Sequence, residues 1–464
     1  MNTFILRKFW YGDFIKETKN IFGISFPIMF CKVGFMSMGI VDAAMLGKLG
    51  INELAASGVA RSFFLPLSVF FMGILFSIDV FSSHALGANR KKDIEKIFFS
   101  GMQMALFLSA LFFLLTLILS FAIPFLDFEQ HIIECAKKYL FYLSFGTPFL
   151  IFNLAIQRFL LAQKIITPFI VIIVASNIVN YYLNKALIFG EYGFSASGII
   201  GAAHATNISR IFVFAACVGL CAYYFLVIEK GLLHIKNLFA FDKKAILKMF
   251  CFGIPGGGQR VLEIALFSLL TLFSAQLTVS ETAAHHVAMI ILNFCHNFPL
   301  ALSSTAILRI GGLIGNGQNE KAKYSGYCTI FWGTTFMIAI SSTLFFMPVS
   351  VLSIFTTDPM AIISGEKIAW LLGCCLILDG FQGCAIGALR GAGDNKLSFY
   401  ASIIGYYPIA LVLAYLLCFY LKLGISGLWC GLLFGFAAVS FIVISHWITF
   451  KPKLILISNE GDQE

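Results

Sequence analysis

The sequence predicts an all-α integral membrane protein, with twelve transmembrane helices in two six-helix bundles related by a pseudo-two-fold axis along the membrane normal. Three observations carry that prediction: the composition, the spacing of the apolar runs, and an internal repeat. Of 464 residues, 59% are hydrophobic and 16% aromatic, and only 12% are charged. Soluble domains carry about 25% charged residues, so the exterior of this chain has to be solvated by lipid. A spanning helix needs about 20 apolar residues, and a dozen of them with short links consume the whole length. No large soluble domain is left over.

Taken in order, apolar segments lie near 21–47, 54–83, 97–126, 139–162, 166–189, 198–228, 249–276, 282–313, 325–355, 366–390, 398–421 and 425–450. Several are longer than one straight crossing requires, so tilts and kinks are expected. Pro27, Pro66, Pro148, Pro255, Pro299 and Pro408 mark the kink positions. The basic residues ahead of the first run, with no small-residue cleavage site close behind it, read as a retained first helix. The cysteines, most of them inside apolar runs, show no CxxC or Cys/His ligand spacing, and read as small packing residues.

Alternate links differ sharply in Lys and Arg. One set holds Arg7, Lys8, Lys16 and Lys19, then Arg90, Lys91, Lys92 and Lys96, then Arg158 and Lys164, then Lys230, Lys236, Lys243, Lys244 and Lys248, then Arg309, Lys321 and Lys323, then Arg390 and Lys396, and last Lys451 and Lys453. The other holds only Lys48, Arg61, Lys137, Lys138, Lys367 and Lys422. This bias orients both termini to the cytoplasm. It also accounts for most of the +9 net charge through anionic headgroups, with no nucleic-acid partner.

The chain repeats itself. Phe22-Gly23-Ile24 recurs as Phe252-Gly253-Ile254, a shift of 230; Glu53 recurs as Glu281 and Gly87 as Gly315, both shifts of 228. Two six-span copies begin and end on the same side, which is the parallel repeat of alternating-access transporters. The expected division is an N-terminal lobe at 1–228, an amphipathic cytoplasmic linker at 229–248 and a C-terminal lobe at 249–464.

Several chemistries are missing. No GxxxxGK[ST] loop is present to bind ATP, Pro255-Gly256-Gly257-Gly258 follows no strand and reads as a closely packed helix entry, and HExxH, GxSxG and DDxxD motifs are absent. The chain therefore reads as a carrier with no enzymatic activity and no cofactor. Charged groups inside spans are costly and functional by default. Asp42, Asp79, Glu263 and Asp379 are such acids, and a buried carboxylate has to be protonated, paired or cation-bound. Asn180 and Asn184 share a helix face at i,i+4 and offer carbonyl oxygens or amide donors, and the Thr206 hydroxyl is a candidate to join them.

Met38-Gly39-Ile40-Val41-Asp42, Gln259 with Glu263, Ala283-Ala284-His285, and Asp379 through Gln382 to Leu389-Arg390-Gly391-Ala392-Gly393-Asp394 resemble the multidrug and toxic compound extrusion (MATE) family. The joint presence of Glu263 and Asp379 resembles its NorM-like branch in a bacterial inner membrane. The resemblance covers almost the whole chain and implies a multidrug efflux antiporter. Such a protein exports small amphiphilic, typically cationic drugs or toxins in exchange for inward Na⁺ or H⁺, and works as a monomer in the bilayer. It implies that Glu263 and Asp379 form the ion-coupling site of the C-lobe, with Na⁺ as a candidate ligand. It likewise implies that Asp42, Asn180, Asn184 and Thr206 form the coupling or substrate site of the N-lobe. Lys32, Lys185 and Arg260 depart from that pattern and, if they face a cavity, favour zwitterionic or anionic substrates. His285 matches a family position and is a further cavity candidate. A lipid-linked oligosaccharide flippase of the same general fold is the alternative carrier, and a channel the alternative without coupling.

Overall fold

A computed structural model of the chain describes residues 11–125, 127, 129–228 and 241–457. Residues 229–240 of the expected linker, and Arg7, Lys8, Lys230 and Lys236 of the basic set, lie outside the described residues. Among the described residues sixteen α-helices follow in order. They are α1 (Tyr11–Leu49), α2 (Ile51–Ile74), α3 (Phe76–Gly87), α4 (Lys91–Ala122), α5 (Gln130–Ser144), α6 (Thr147–Ala162), α7 (Thr167–Phe189) and α8 (Gly198–Tyr223). Then come α9 (Lys243–Ser274), α10 (Val279–Cys295), α11 (Asn297–Gly315), α12 (Asn319–Phe346), the short α13 (Pro348–Leu352), α14 (Pro359–Gly391), α15 (Lys396–Tyr420) and α16 (Gly424–Thr449).

Among the described residues ten helical spans are long and apolar enough to cross a membrane, and α5 with α6, bent by 49°, makes an eleventh. The expected seventh span, α9, runs for 32 residues but carries Gln259, Arg260 and Glu263 beside a run of glycines, which lowers its hydropathy. Outward faces read as lipid-exposed. Leu111, Leu114, Ile118 and Phe121 recur along one side of α4 and are 47–61% exposed.

Prolines act as expected at three places. The α5–α6 bend falls just before Pro148, which opens α6. Pro299 has no N–H to give the Cys295 carbonyl, and α10 ends at Cys295 with His296 at the break. Around Pro408, α15 relaxes into a π-helical stretch, Gly405–Leu411. α1, α2 and α9 continue through Pro27, Pro66 and Pro255.

The chain forms two compact units with boundaries that differ from the expected ones. The C-terminal unit comprises residues up to Met29 together with Gly258–Ile455, and the N-terminal unit comprises Phe30–Gly257 with the residues from Leu456 onward. Local contacts explain the difference. At the start of α1, Glu17 receives a bidentate bond from Arg309 at 2.9 and 2.8 Å and one from Ser325 at 2.6 Å, while Trp332 Nε1 donates to Thr18 Oγ1. The first half of α9 is fixed to the N-terminal unit by glycines. A Cβ on Gly253 would lie 2.2 Å from the Ile74 carbonyl oxygen, and one on Gly73 would lie 2.4 Å from the Gly257 Cα. This is the close backbone approach that small residues permit between membrane helices.

Within the N-terminal unit, Phe64 and Phe71 pack against Phe112 at 5.2 and 5.1 Å, and Phe81 meets Phe252 at 5.6 Å. Within the C-terminal unit, Trp429, Trp447, Phe436 and Tyr406 are fully buried. There Gly431 lets α16 approach the Ala414 backbone of α15, and Trp447 covers Gly326. All twelve cysteines are free thiols, and eight of them are buried, in keeping with a packing role.

Candidate functional site

Two buried polar clusters stand out, one in each unit. In the N-terminal unit α1 presents Asp42, α7 presents Asn180 and Asn184 one turn apart, and α8 presents Thr206. The Asp42 residue is 5% exposed. Asn184 Nδ2 donates one hydrogen to Asp42 Oδ1 at 2.6 Å and the other to Asn180 Oδ1 at 3.1 Å. Thr206 Oγ1 lies 3.1 Å from Asp42 Oδ2 and 3.0 Å from the Ala202 carbonyl, so its single hydrogen has two acceptors. A proton on Asp42 Oδ2 resolves the conflict, because the acid then donates to Thr206 and Thr206 donates to Ala202. When Asp42 is ionised, Thr206 turns to the carboxylate. The cluster therefore suits both charge states, which is what a residue that takes and releases a proton requires. All four sequence-predicted residues of this site come together as expected.

Asp42 and Thr206 open onto a cavity of about 180 Å³, lined also by Phe35, Met38, Arg61, Asn153, Ser176 and Arg210. Arg61 looked like part of an extramembrane link in the sequence. It lies instead in the middle of α2, and Arg210 was not singled out at all.

In the C-terminal unit α9 carries Glu263, and α14 carries Asp379, which are 5% and 2% exposed. Sequence reasoning predicted both, and it also placed Arg260 beside Glu263. Arg260 Nη1 donates to Glu263 Oε2 at 2.9 Å. The residue that joins the two acids was missed. His296, at the break between α10 and α11, sets Nδ1 2.8 Å from Asp379 Oδ2 and Nε2 3.9 Å from Glu263 Oε1. Arg260 Nη1 is 3.1 Å from the same Nε2. The acids thus form a quartet with two bases. The available signal was Pro299 three residues on, which interrupts the span and frees His296 to turn inward.

The remaining candidates are placed differently. His285 is buried against Thr271, at 3.1 Å from Nε2, and its ring lies 5.8 Å from Trp429, so it belongs to the packed core and not to the acid cluster. Lys185 pairs with Glu191 at 3.5 Å. Lys32 is half-buried on α1. Asp79 pairs with Arg158, whose guanidinium also covers the Phe76 ring at 3.9 Å. Gln259 is engaged by Arg390 at 3.2 Å. Phe35 reaches the cavity, whereas Phe267 packs on Phe436.

Comparison with known proteins agrees with this architecture. The MatE family model matches residues 27–185 and 255–416. A multidrug resistance protein NorM from Burkholderia vietnamiensis is 28% identical over 435 residues, covering 91% of both chains. A probable multidrug resistance protein NorM from Halalkalibacterium halodurans is 25% identical, covering 89% of this chain and 90% of that one. The crystal structure of the eukaryotic MATE transporter AtDTX14 superposes with a TM-score of 0.84 at 22% identity, over 94% of this chain and 97% of that one. The match over both repeats, on a multi-pass helical membrane fold, shows that the chain belongs to the MatE family of multidrug and toxic compound extrusion transporters, in its NorM-like branch.

Proposed function

We propose that this protein is an H⁺-coupled multidrug antiporter of a bacterial inner membrane, exporting amphiphilic compounds by alternating access. Asp42 and the quartet around Asp379 are its proton-carrying groups. The observation that carries this reading is the pairing of the C-terminal acids by the chain's own cations. Na⁺ is a hard cation that prefers several oxygen ligands. Here Glu263 is held at 2.9 Å by Arg260, and Asp379 at 2.8 Å by an imidazole nitrogen. Glu263, His296 and Asp379 lie close enough together to ligate a metal. The guanidinium in the same place opposes a second positive charge, so the donor set fits Na⁺ poorly and fits a mobile proton well. An imidazole between two carboxylates is a natural proton acceptor. The basic loops favour both termini in the cytoplasm, and in an antiporter the inward proton gradient itself drives the exchanged compound outward.

The test is dye accumulation in everted membrane vesicles. An imposed pH gradient in Na⁺-free medium is expected to drive uptake of a fluorescent amphiphile, and a Na⁺ gradient without a pH gradient is expected to drive none. Asp379→Asn retaining full gradient-driven uptake overturns the C-terminal proton site.

A further inference from the structure

The cavity of the N-terminal unit holds more positive charge than its one acid can match. Arg61 on α2 and Arg210 on α8 line it together with Asp42. Asp42 takes its bonds from Asn184 and Thr206. Arg61 Nη2 donates to the Gly39 carbonyl at 3.3 Å, and the Arg210 guanidinium lies 5.3 Å from the Phe64 ring centre. Among the described residues neither arginine forms an ion pair, and Arg210 Nη1 is buried with no hydrogen-bond partner. A buried charged donor left unpaired is costly and calls for an explanation. The chain also makes room for it. At the α5–α6 bend Gly146 lacks the Cβ that would sit 1.9 Å from Asn207 Oδ1 and 3.0 Å from Arg210 Nη1.

We propose that this cavity contains an anion subsite, in which Arg210 and Arg61 receive the carboxylate of a zwitterionic amphiphile whose cationic end lies against Asp42. The inference rests on the antiport reading and names its substrate class. Two arginines against one acid repel a simple organic cation. A simple anion fares no better as an exchanged substrate, because protonating Asp42 makes the cavity more positive and tightens its hold. A zwitterion satisfies both demands. Its carboxylate pairs with the guanidinium groups, and its cationic end competes with the proton for Asp42. An ionised carboxylate accepts about four hydrogen bonds, and Asn184 and Thr206 use two of these positions. Asn153 Oδ1, buried and unpartnered, is a further acceptor for an N–H of the cationic end. Tyr139, buried on α5, is the other titratable group beside Asp42 and the arginines.

Rhodamine B and its ethyl ester test this, since they share a cationic ring system and differ only in the free carboxylate. Binding to the purified full-length protein in nanodiscs is read by fluorescence polarisation at neutral pH. The zwitterion is expected to bind about tenfold more tightly than the ester, the scale of one charge-assisted hydrogen bond. Arg210→Gln is expected to abolish that ratio without weakening the ester, and Arg210→Lys to keep much of it. Arg61→Gln supplies a second variant should Arg210→Gln fail to give monodisperse protein. Equal or tighter binding of the ester by the wild type, or an unchanged ratio in folded Arg210→Gln, overturns the subsite. Reconstituted vesicles separate the two readings. A carboxylate preference without pH-driven uptake sinks the antiport reading and leaves the subsite standing, whereas pH-driven uptake of both dyes without preference does the reverse.

Discussion

Replacing Arg260 by Gln should turn a Na⁺-indifferent protein into a Na⁺-responsive one. At an effective dielectric constant of about 20, unit charges separated by the 2.9 Å of the Arg260–Glu263 pair attract by about 6 kcal/mol before desolvation is counted. A Na⁺ bound between the acids would sit roughly 4 Å from that guanidinium and be repelled by about 4 kcal/mol in the same medium. At about 1.4 kcal/mol per factor of ten, the arginine weakens Na⁺ binding about a thousandfold. Arg260→Gln removes this repulsion and leaves Glu263 buried without its partner, at a cost of about 3–5 kcal/mol. The variant should therefore unfold at a lower temperature than wild type in choline chloride. Na⁺ at 100 times its dissociation constant should then restore about 2.7 kcal/mol. Scanning fluorimetry of purified protein in matched NaCl and choline chloride series reads both effects. The reasoning fails if the wild type shows the same saturable Na⁺ stabilisation as the variant, or if Na⁺ does not rescue the variant.

Two further predictions concern stability. Glu17→Ala removes the acceptor of the bidentate Arg309 bond and of Ser325, and should cost about 2–3 kcal/mol, the range of hydrogen bonds to charged groups, seen as a lower thermal midpoint. Gly431→Ala places a Cβ 2.3 Å from the Ala414 backbone nitrogen and should cost about 1–3 kcal/mol by overpacking, whereas Gly219→Ala, with nothing within 4 Å, should be neutral or mildly stabilising. Equal thermal midpoints for the two glycine variants would show that the α15–α16 contact yields.

The members of the N-terminal cluster were readable singly because their signals are local, whereas the meeting of Asp42 with Asn184, 142 residues on, was expected only from the family resemblance. Asn180 and Asn184 fall one turn apart on α7, and Asp42 is an acid inside an apolar run. The C-terminal cluster was legible only in part. Glu263 and Arg260 are neighbours on one helix, but His296 is 83 residues from Asp379 and meets it only through packing of α11 and α14. Arg61 and Arg210 were hidden for another reason. Counting Lys and Arg for topology treated Arg61 as a loop charge, and Arg210, inside the apolar run 198–228, was passed over altogether. The helices themselves followed from hydropathy, α9 included, although its glycines and polar residues serve close packing and the acid cluster at the expense of apolar length. The unit boundaries were not legible. The repeat dates the duplication at 228–230 residues, whereas Glu17, Arg309, Gly73 and Gly253 decide which segment packs where.

The shared hydrogen of Thr206 has a mechanical side. When Asp42 is ionised the hydroxyl points across to α1, and the Ala202 carbonyl keeps only its partner within the helix. When Asp42 holds a proton the hydroxyl swings back onto that carbonyl, 3.0 Å away. A threonine bonded to the carbonyl one turn earlier loosens the ladder there and bends a helix. If Asp42 carries the coupling proton, its arrival on α1 biases the curvature of α8 through the rotation of a single side-chain bond.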